Sequence, residues 1–142
     1  MRRERSFLGP LAPAIIAAAE PILLGRWVRE GTHLNIVGSS RAGPVEIDND
    51  LVLRARVFAD HRESVLRQGA EFLRAKAAGL IGDAHVLGEI GQVMDGAIVG
   101  RQSASDVTLY TSLRSIVQDL ASGWYLYRKA LRDGFGTRVG FG

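Results

Sequence analysis

From Gly31 to Asp50 the chain reads GTHLNIVGSSRAGPVEIDND. A short apolar run, Leu34 to Val37, stops abruptly at Gly38-Ser39-Ser40-Arg41. Gly43-Pro44 then marks a turn, and the acidic segment Glu46 to Asp50 reads as a helix start. A run this short between small residues reads as a buried strand. Its carboxyl end opens into a small, hydroxyl-rich loop, and ligands of open α/β sheets sit in such places.

The 142 residues are one domain's worth, and 46% apolar content is too high for a disordered chain. With no cysteine there is no disulfide framework and no thiolate metal site. His33, His61 and His85 lie in separate local contexts, so no metal site is expected. The net charge is +3, but arginines alternate with acids over most of the length. The basic cluster Arg2-Arg3-Glu4-Arg5 is short and broken, and no nucleic-acid module accompanies it. Pro10 and Pro13 interrupt the apolar stretch Phe7 to Ala19, against a secretory signal. No run reaches the ~18 apolar residues of a spanning helix. A cytoplasmic protein without nucleic-acid or membrane partners is expected.

Residues 1–13 read as a loose leader, and Ala14 to Ala19 fits a buried strand or a helix fragment equally. Asp48 or Asn49 can cap a short helix to Arg54, and Arg56 to Ala59 is a second strand. Asp60-His61-Arg62-Glu63 has the form of a capping box, predicting a helix from Asp60 to about Ala78. Val65, Phe72 and Leu73 are on its apolar side, Gly69 weakens its middle, and Gly79 stops it. Gly82 to Gly100 is glycine-rich with a short helical core around Glu89 to Met94; Val107 to Tyr110 is extended. Leu113, Ile116, Val117, Leu120, Trp124, Tyr127 and Leu131 recur at helical spacing, the stripe of an amphipathic helix that Ser112 can cap. Gly134 to Gly142 reads as a flexible tail. Strands alternating with helices predict an α/β fold: a partial Rossmann-like parallel sheet, flanking helices and a long C-terminal amphipathic helix.

Other signals have plainer readings. Gly134-Phe135-Gly136 lacks the preceding strand and following helix of a phosphate loop. Glu46, Asp48 and Asp50 do not match a calcium loop; carboxylates at a helix start favour the dipole. Trp124, Tyr125 and Tyr127 suit core or interface packing better than a stacking platform. Ser39 and Ser40 lack the partners of a nucleophilic triad but are reasonable hydrogen-bonding contacts for a ligand.

The stretch Gly31–Asp50 resembles the ornithine cyclodeaminase and mu-crystallin family, which carries a closely similar G-T-H-x-N-x-V-G-S/A-S pattern followed by E-I/L-D. The likeness continues through Val57-Phe58-Ala59-Asp60, Gly88-Glu89-Ile90-Gly91-Gln92-Val93 and Gly100-Arg101. It then runs through Val107-Thr108-Leu109-Tyr110-Thr111-Ser112 to Val117-Gln118-Asp119-Leu120-Ala121. Several blocks in order are more specific than any one motif.

The resemblance implies a Rossmann-type dinucleotide domain joined to a separate substrate and dimerisation domain. It implies hydride chemistry with NAD or NADP on a small amino acid or cyclic imine. It places Val37, Gly38 and Ser39 against the nicotinamide, and Ser112 on the cofactor near a helix start. Ser40 falls where cyclodeaminases have an acid–base aspartate and mu-crystallin has serine. Thr111 stands where lysine is usual, and Arg114 where glycine is usual. The family's glycine-rich phosphate loop and its substrate-gripping Arg and Lys find no counterpart in residues 1–19. Hence the expected division is 1–19 an altered lead-in, 20–133 the carboxyl-terminal part of an NAD(P)-binding domain with a returning helix, and 134–142 a tail. Such a portion is expected to be incompetent alone, and to form a homo-oligomer or pair with a full-length relative through its open sheet edge. The alternatives are a non-catalytic ligand-binding or interaction protein, or a truncated remnant.

Overall fold

The computed structural model describes residues 11–14, 20–37, 43–113, 116–137 and 139–140. Five short strands form one parallel sheet: β1 (Leu11–Ala14), β2 (His33–Ile36), β3 (Arg56–Ala59), β4 (Val86–Glu89) and β5 (Thr108–Thr111). Their order across the sheet is β1-β2-β5-β3-β4. Thr108 is level with His33 on one side and with Arg56 on the other, so β5 is wedged between β2 and β3. The chain therefore winds outward from β2 to β4 and then turns back.

One face of the sheet holds the core. Leu34, Ile36, Val57, Ala59 and Leu109 are buried against Leu51, Val52, Val65, Phe72 and Ala75. The latter come from α1 (Asn49–Arg54), α2 (Arg62–Gln68) and α3 (Ala70–Ala77). The alternate residues His33 and Asn35 point to the opposite face and are only half-buried. There α4 (Ile90–Met94) sends Ile90 and Val93 toward His33, Phe58 and Thr108.

Local chemistry sets the boundaries. Asp48 caps α1, its carboxylate accepting the Leu51 amide at 2.9 Å, as the sequence suggests. The expected helix from Asp60 to Ala78 is instead two helices. His61, not Asp60, caps α2, its ring accepting the Ser64 amide. Gly69 is extended, at φ −68° and ψ 110°, and separates α2 from α3. A Cβ there would lie 2.8 Å from the Val65 carbonyl oxygen, so this break needs a residue without one. Gly79, at φ +71°, ends α3 as expected. Two strands were not legible: β1 takes up part of the supposed loose leader, and β4 lies inside the glycine-rich stretch.

The long C-terminal helix exists as α5 (Ile116–Asp133), but none of its residues is buried. Leu120 and Trp124 are 72% and 58% exposed, so the stripe does not pack on this core. Residues 114 and 115, between Leu113 and α5, are outside the described set, so the expected cap by Ser112 falls on a stretch that the structure does not describe. No helix among the described residues is long and apolar enough to cross a membrane.

Glu46 is the exception among the acids assigned to a helix start. It is buried, and its amide donates to Glu71 Oε1 at 3.1 Å. Glu71 Oε2 has no hydrogen-bond partner among the described residues, and the side chain borders a cavity of about 10 Å³ that Thr111 also lines. Burial pushes the Glu71 carboxyl above the usual carboxylate range. The folded state then holds this proton more tightly than the unfolded chain. Its contribution is fully present below the unfolded pKa and is lost as pH rises through the folded one. Glu71→Gln keeps an acceptor for the Glu46 amide and removes the titration. Urea unfolding across about pH 4 to 8 should show a shallower loss of stability with rising pH in the variant; identical slopes would assign the pH dependence elsewhere.

Candidate functional site

Three parallel strands end side by side. Val37 follows β2, Asp60 follows β3 and Ser112 follows β5. The ends are tied laterally: the Ser112 amide donates to the Ile36 carbonyl at 3.0 Å, and the Asp60 amide to the Thr111 carbonyl at 3.1 Å. These bonds extend the parallel ladders by one residue and fix Ser112 between the other two ends.

Asp60 carries the charge at this edge. Its Oδ2 accepts from the Ser112 hydroxyl at 3.2 Å and from the Leu113 amide at 2.9 Å. Its Oδ1 accepts the His61 amide at 2.7 Å. Thus Asp60 joins β3 to the segment leaving β5, across 52 residues of sequence. A capping role for the α2 helix had seemed its natural use. The structure turns its carboxylate toward Ser112 and Leu113, because β5 lies next to β3 and its end comes within hydrogen-bond distance. An acid directly after a β-branched and aromatic run is the signal that could have found it.

Of the residues expected at the site, Val37 and Ser112 are brought to the same end of adjacent strands, and Val37 is half-buried. Gly38, Ser39 and Ser40 lie outside the described residues, as does Arg114. Thr111 is buried and faces the core, not the strand-end opening. The histidines are dispersed as expected. His33 bonds Thr108 and Asn35 near the other end of the sheet, and His85 bonds the Val52 carbonyl. No group of three or more His, Cys, Asp or Glu among the described residues is placed to hold a metal ion.

Val37 offers a hydrocarbon surface and Ser112 a hydroxyl, at the place where β5 reverses the winding of the sheet.

The model of the ornithine cyclodeaminase/mu-crystallin family matches residues 12–134. The alanine dehydrogenase of Archaeoglobus fulgidus is 32% identical over 122 residues, 86% of this chain and 38% of that protein. The structure of Thermococcus litoralis Delta(1)-pyrroline-2-carboxylate reductase, in complex with NADH and L-proline, superposes with a TM-score of 0.80 at 30% identity. That match covers 91% of this chain and 40% of the reductase. An archaeal alanine dehydrogenase dimer with bound NAD matches at a TM-score of 0.76 and 29% identity, over 94% of this chain and 41% of its own. The chain thus spans well under half the length of each of these relatives.

Proposed function

The chain belongs to the ornithine cyclodeaminase/mu-crystallin family, and from that premise we propose that it forms the nicotinamide-side wall of an NAD(P)-dependent oxidoreductase acting on a small amino acid or cyclic imine. The observation that supports this most is the junction of Val37, Asp60 and Ser112 at the carboxyl ends of β2, β3 and β5, where the sheet reverses its winding. The relatives that match over this region include an alanine dehydrogenase and a reductase solved with NADH and L-proline.

Bound NAD(P) supplies hydride transfer; this chain's residues place the ring. Val37 gives the ring an apolar seat, and Ser112 fixes a polar substituent. In the same proposal Gly38 and Ser39 are further cofactor contacts and Ser40 stands for the family's acid–base residue, roles that the family resemblance implies for residues outside the described set. A hydroxyl at that place can carry a hydrogen bond but is a weak proton shuttle near neutral pH, so reduction of an imine suits it better than acid-assisted cyclisation. The phosphates need a glycine-rich loop, for which these 142 residues have no strand–loop–helix pattern. The isolated chain is therefore expected to hold the nicotinamide weakly and to turn over no substrate.

Adding NADH to the isotope-labelled chain should shift the amide resonances of Val37 and Ser112, with smaller changes at Leu11–Ala14. No change at Val37 and Ser112 up to millimolar NADH would remove the cofactor role. Sustained NADH-coupled turnover of L-alanine or a cyclic imine by the isolated chain would remove the need for a second set of residues.

A further inference from the structure

Away from the strand ends, the geometry points to the apolar stripe of α5 as a docking surface for a second copy of this chain, the two helices packing antiparallel. Val117, Leu120, Trp124, Tyr127 and Leu131 follow one another at steps of three, four, three and four residues, the spacing of a coiled-coil seam. All five are open to water, at 44% to 73% exposure. Trp124 and Tyr127 lie with ring centres 5.7 Å apart and give the seam a broad aromatic middle. Gly123 and Ala130 flank it on one side and Ala121 on the other, so little stands in the way of an approaching helix. The helix meets its own domain from the other side. Gln118 Nε2 donates to the Tyr110 hydroxyl at 3.3 Å, and at 3.6 residues per turn Gln118 is nearly opposite the seam.

Area and charge select the occupant. Together with Ile116, the seam leaves roughly 700 Å² of surface on each copy, so covering most of it on two copies exceeds the about 1,000 Å² that a specific interface needs. In a two-fold pair the same patch serves both partners, and a stripe with the coiled-coil period is its own complement. The charges of α5 set the direction. Its first half carries Asp119; its second carries Arg128, Lys129 and Arg132 against Asp133. Lys129 and Arg132 pair with Asp133, while Arg128 lies 5.7 Å over the Trp124 ring, at the border of the seam. Parallel helices would set the two basic halves together. Antiparallel helices set each basic half against the half that holds Asp119, and oppose their dipoles. The open sheet edge at β1 is a poorer place for pairing, because Pro13 has no amide to donate there.

Light scattering on the full 142-residue chain tests this. The mass should rise from the 15.4 kDa of one chain to twice that value, with half-conversion at about 1 to 100 micromolar. Leu120→Asp should weaken the association at least about tenfold while circular dichroism stays native, because Leu120 is exposed in the single chain. Leu131→Lys is the second variant, with the same expectation, and decides if the first does not fold. Below the dissociation constant the chain unfolds as a monomer, in which Leu120 lends little stability. Orientation is read separately, since the native chain has no cysteine. Mixing Ile116→Cys with Ala130→Cys should give a disulfide between the two variants. A native chain that stays at 15.4 kDa up to about 500 micromolar overturns the inference. So does an association that the folded Leu120→Asp and Leu131→Lys chains keep in full, which would belong to another surface such as the β1 edge. Disulfides only between like variants would show a parallel pair and overturn it as well. None of these readings involves NADH, so the cofactor wall stands or falls apart from them.

Discussion

Replacing Leu109 by alanine is expected to cost about 2 to 5 kcal/mol, enough to unfold a large share of a marginally stable chain. Leu109 is 1% exposed and lies in β5, with β2 and β3 on either side. Its side chain packs with Val52, Val57, Val65 and Phe72 around the small cavity. Truncation enlarges that cavity, and the surrounding strands are held by ladders on both sides, so collapse around it is limited. Urea unfolding gives the loss directly from the midpoint at constant slope. Leu120→Ala is the informative contrast. Leu120 is 72% exposed on α5, so the same truncation should change stability by less than about 0.5 kcal/mol. Equal losses at the two positions would mean that α5 is packed on something in the isolated chain. β5 is also the strand that carries Ser112 to the end of the sheet where it bonds Ile36 and Asp60.

The second large effect is expected at Gly31, and it comes from the backbone. Gly31 opens the turn before β2 at φ +77°, a region that L-residues enter at a cost of roughly 1 to 2 kcal/mol. An added Cβ would also stand 2.6 Å from the Ala104 carbonyl oxygen. The Gly31 amide meanwhile donates to the Ser105 carbonyl at 3.0 Å, so the turn cannot move off without breaking the bond that ties it to the segment before β5. Gly31→Ala should therefore lower stability by about 2 kcal/mol or more. It should also loosen the pairing of β2 with β5, which hydrogen exchange at Leu34 and Ile36 would report. Gly82→Ala is the control, because a Cβ there meets nothing within 4 Å and its backbone is not in the left-handed region. A Gly31→Ala chain as stable as the Gly82→Ala chain would show that the turn relaxes freely.

Much of the fold was legible because it is written in local patterns. Leu34 and Ile36, separated by the half-buried Asn35, carry the two-residue period of a strand with one face on the core. Asp48 caps α1 through an amide three residues ahead, a bond that depends on nearby residues alone. The blocks from Gly31 to Ala121 were enough to point to the family before any coordinates. β4 was not legible, because Val86–Glu89 has a glycine in four residues and gains its strand character from β3 beside it. The break at Gly69 was also hidden, because a glycine inside a helical pattern can be tolerated or can end it, and packing against Val65 decides which.

The sequence by itself determined the strand–helix rhythm and the parallel sheet, which follow from spacing and residue type along the chain, while Val37 and Ser112 became candidate contacts only through the resemblance to the family. Only the tertiary structure decided that Asp60 belongs with Ser112, that Glu46 and Glu71 are buried together, and that the apolar stripe of α5 faces away from this core. The physical reason is the place of β5. A strand inserted between two earlier ones brings together groups 52 residues apart, and no local period records which neighbour it will choose.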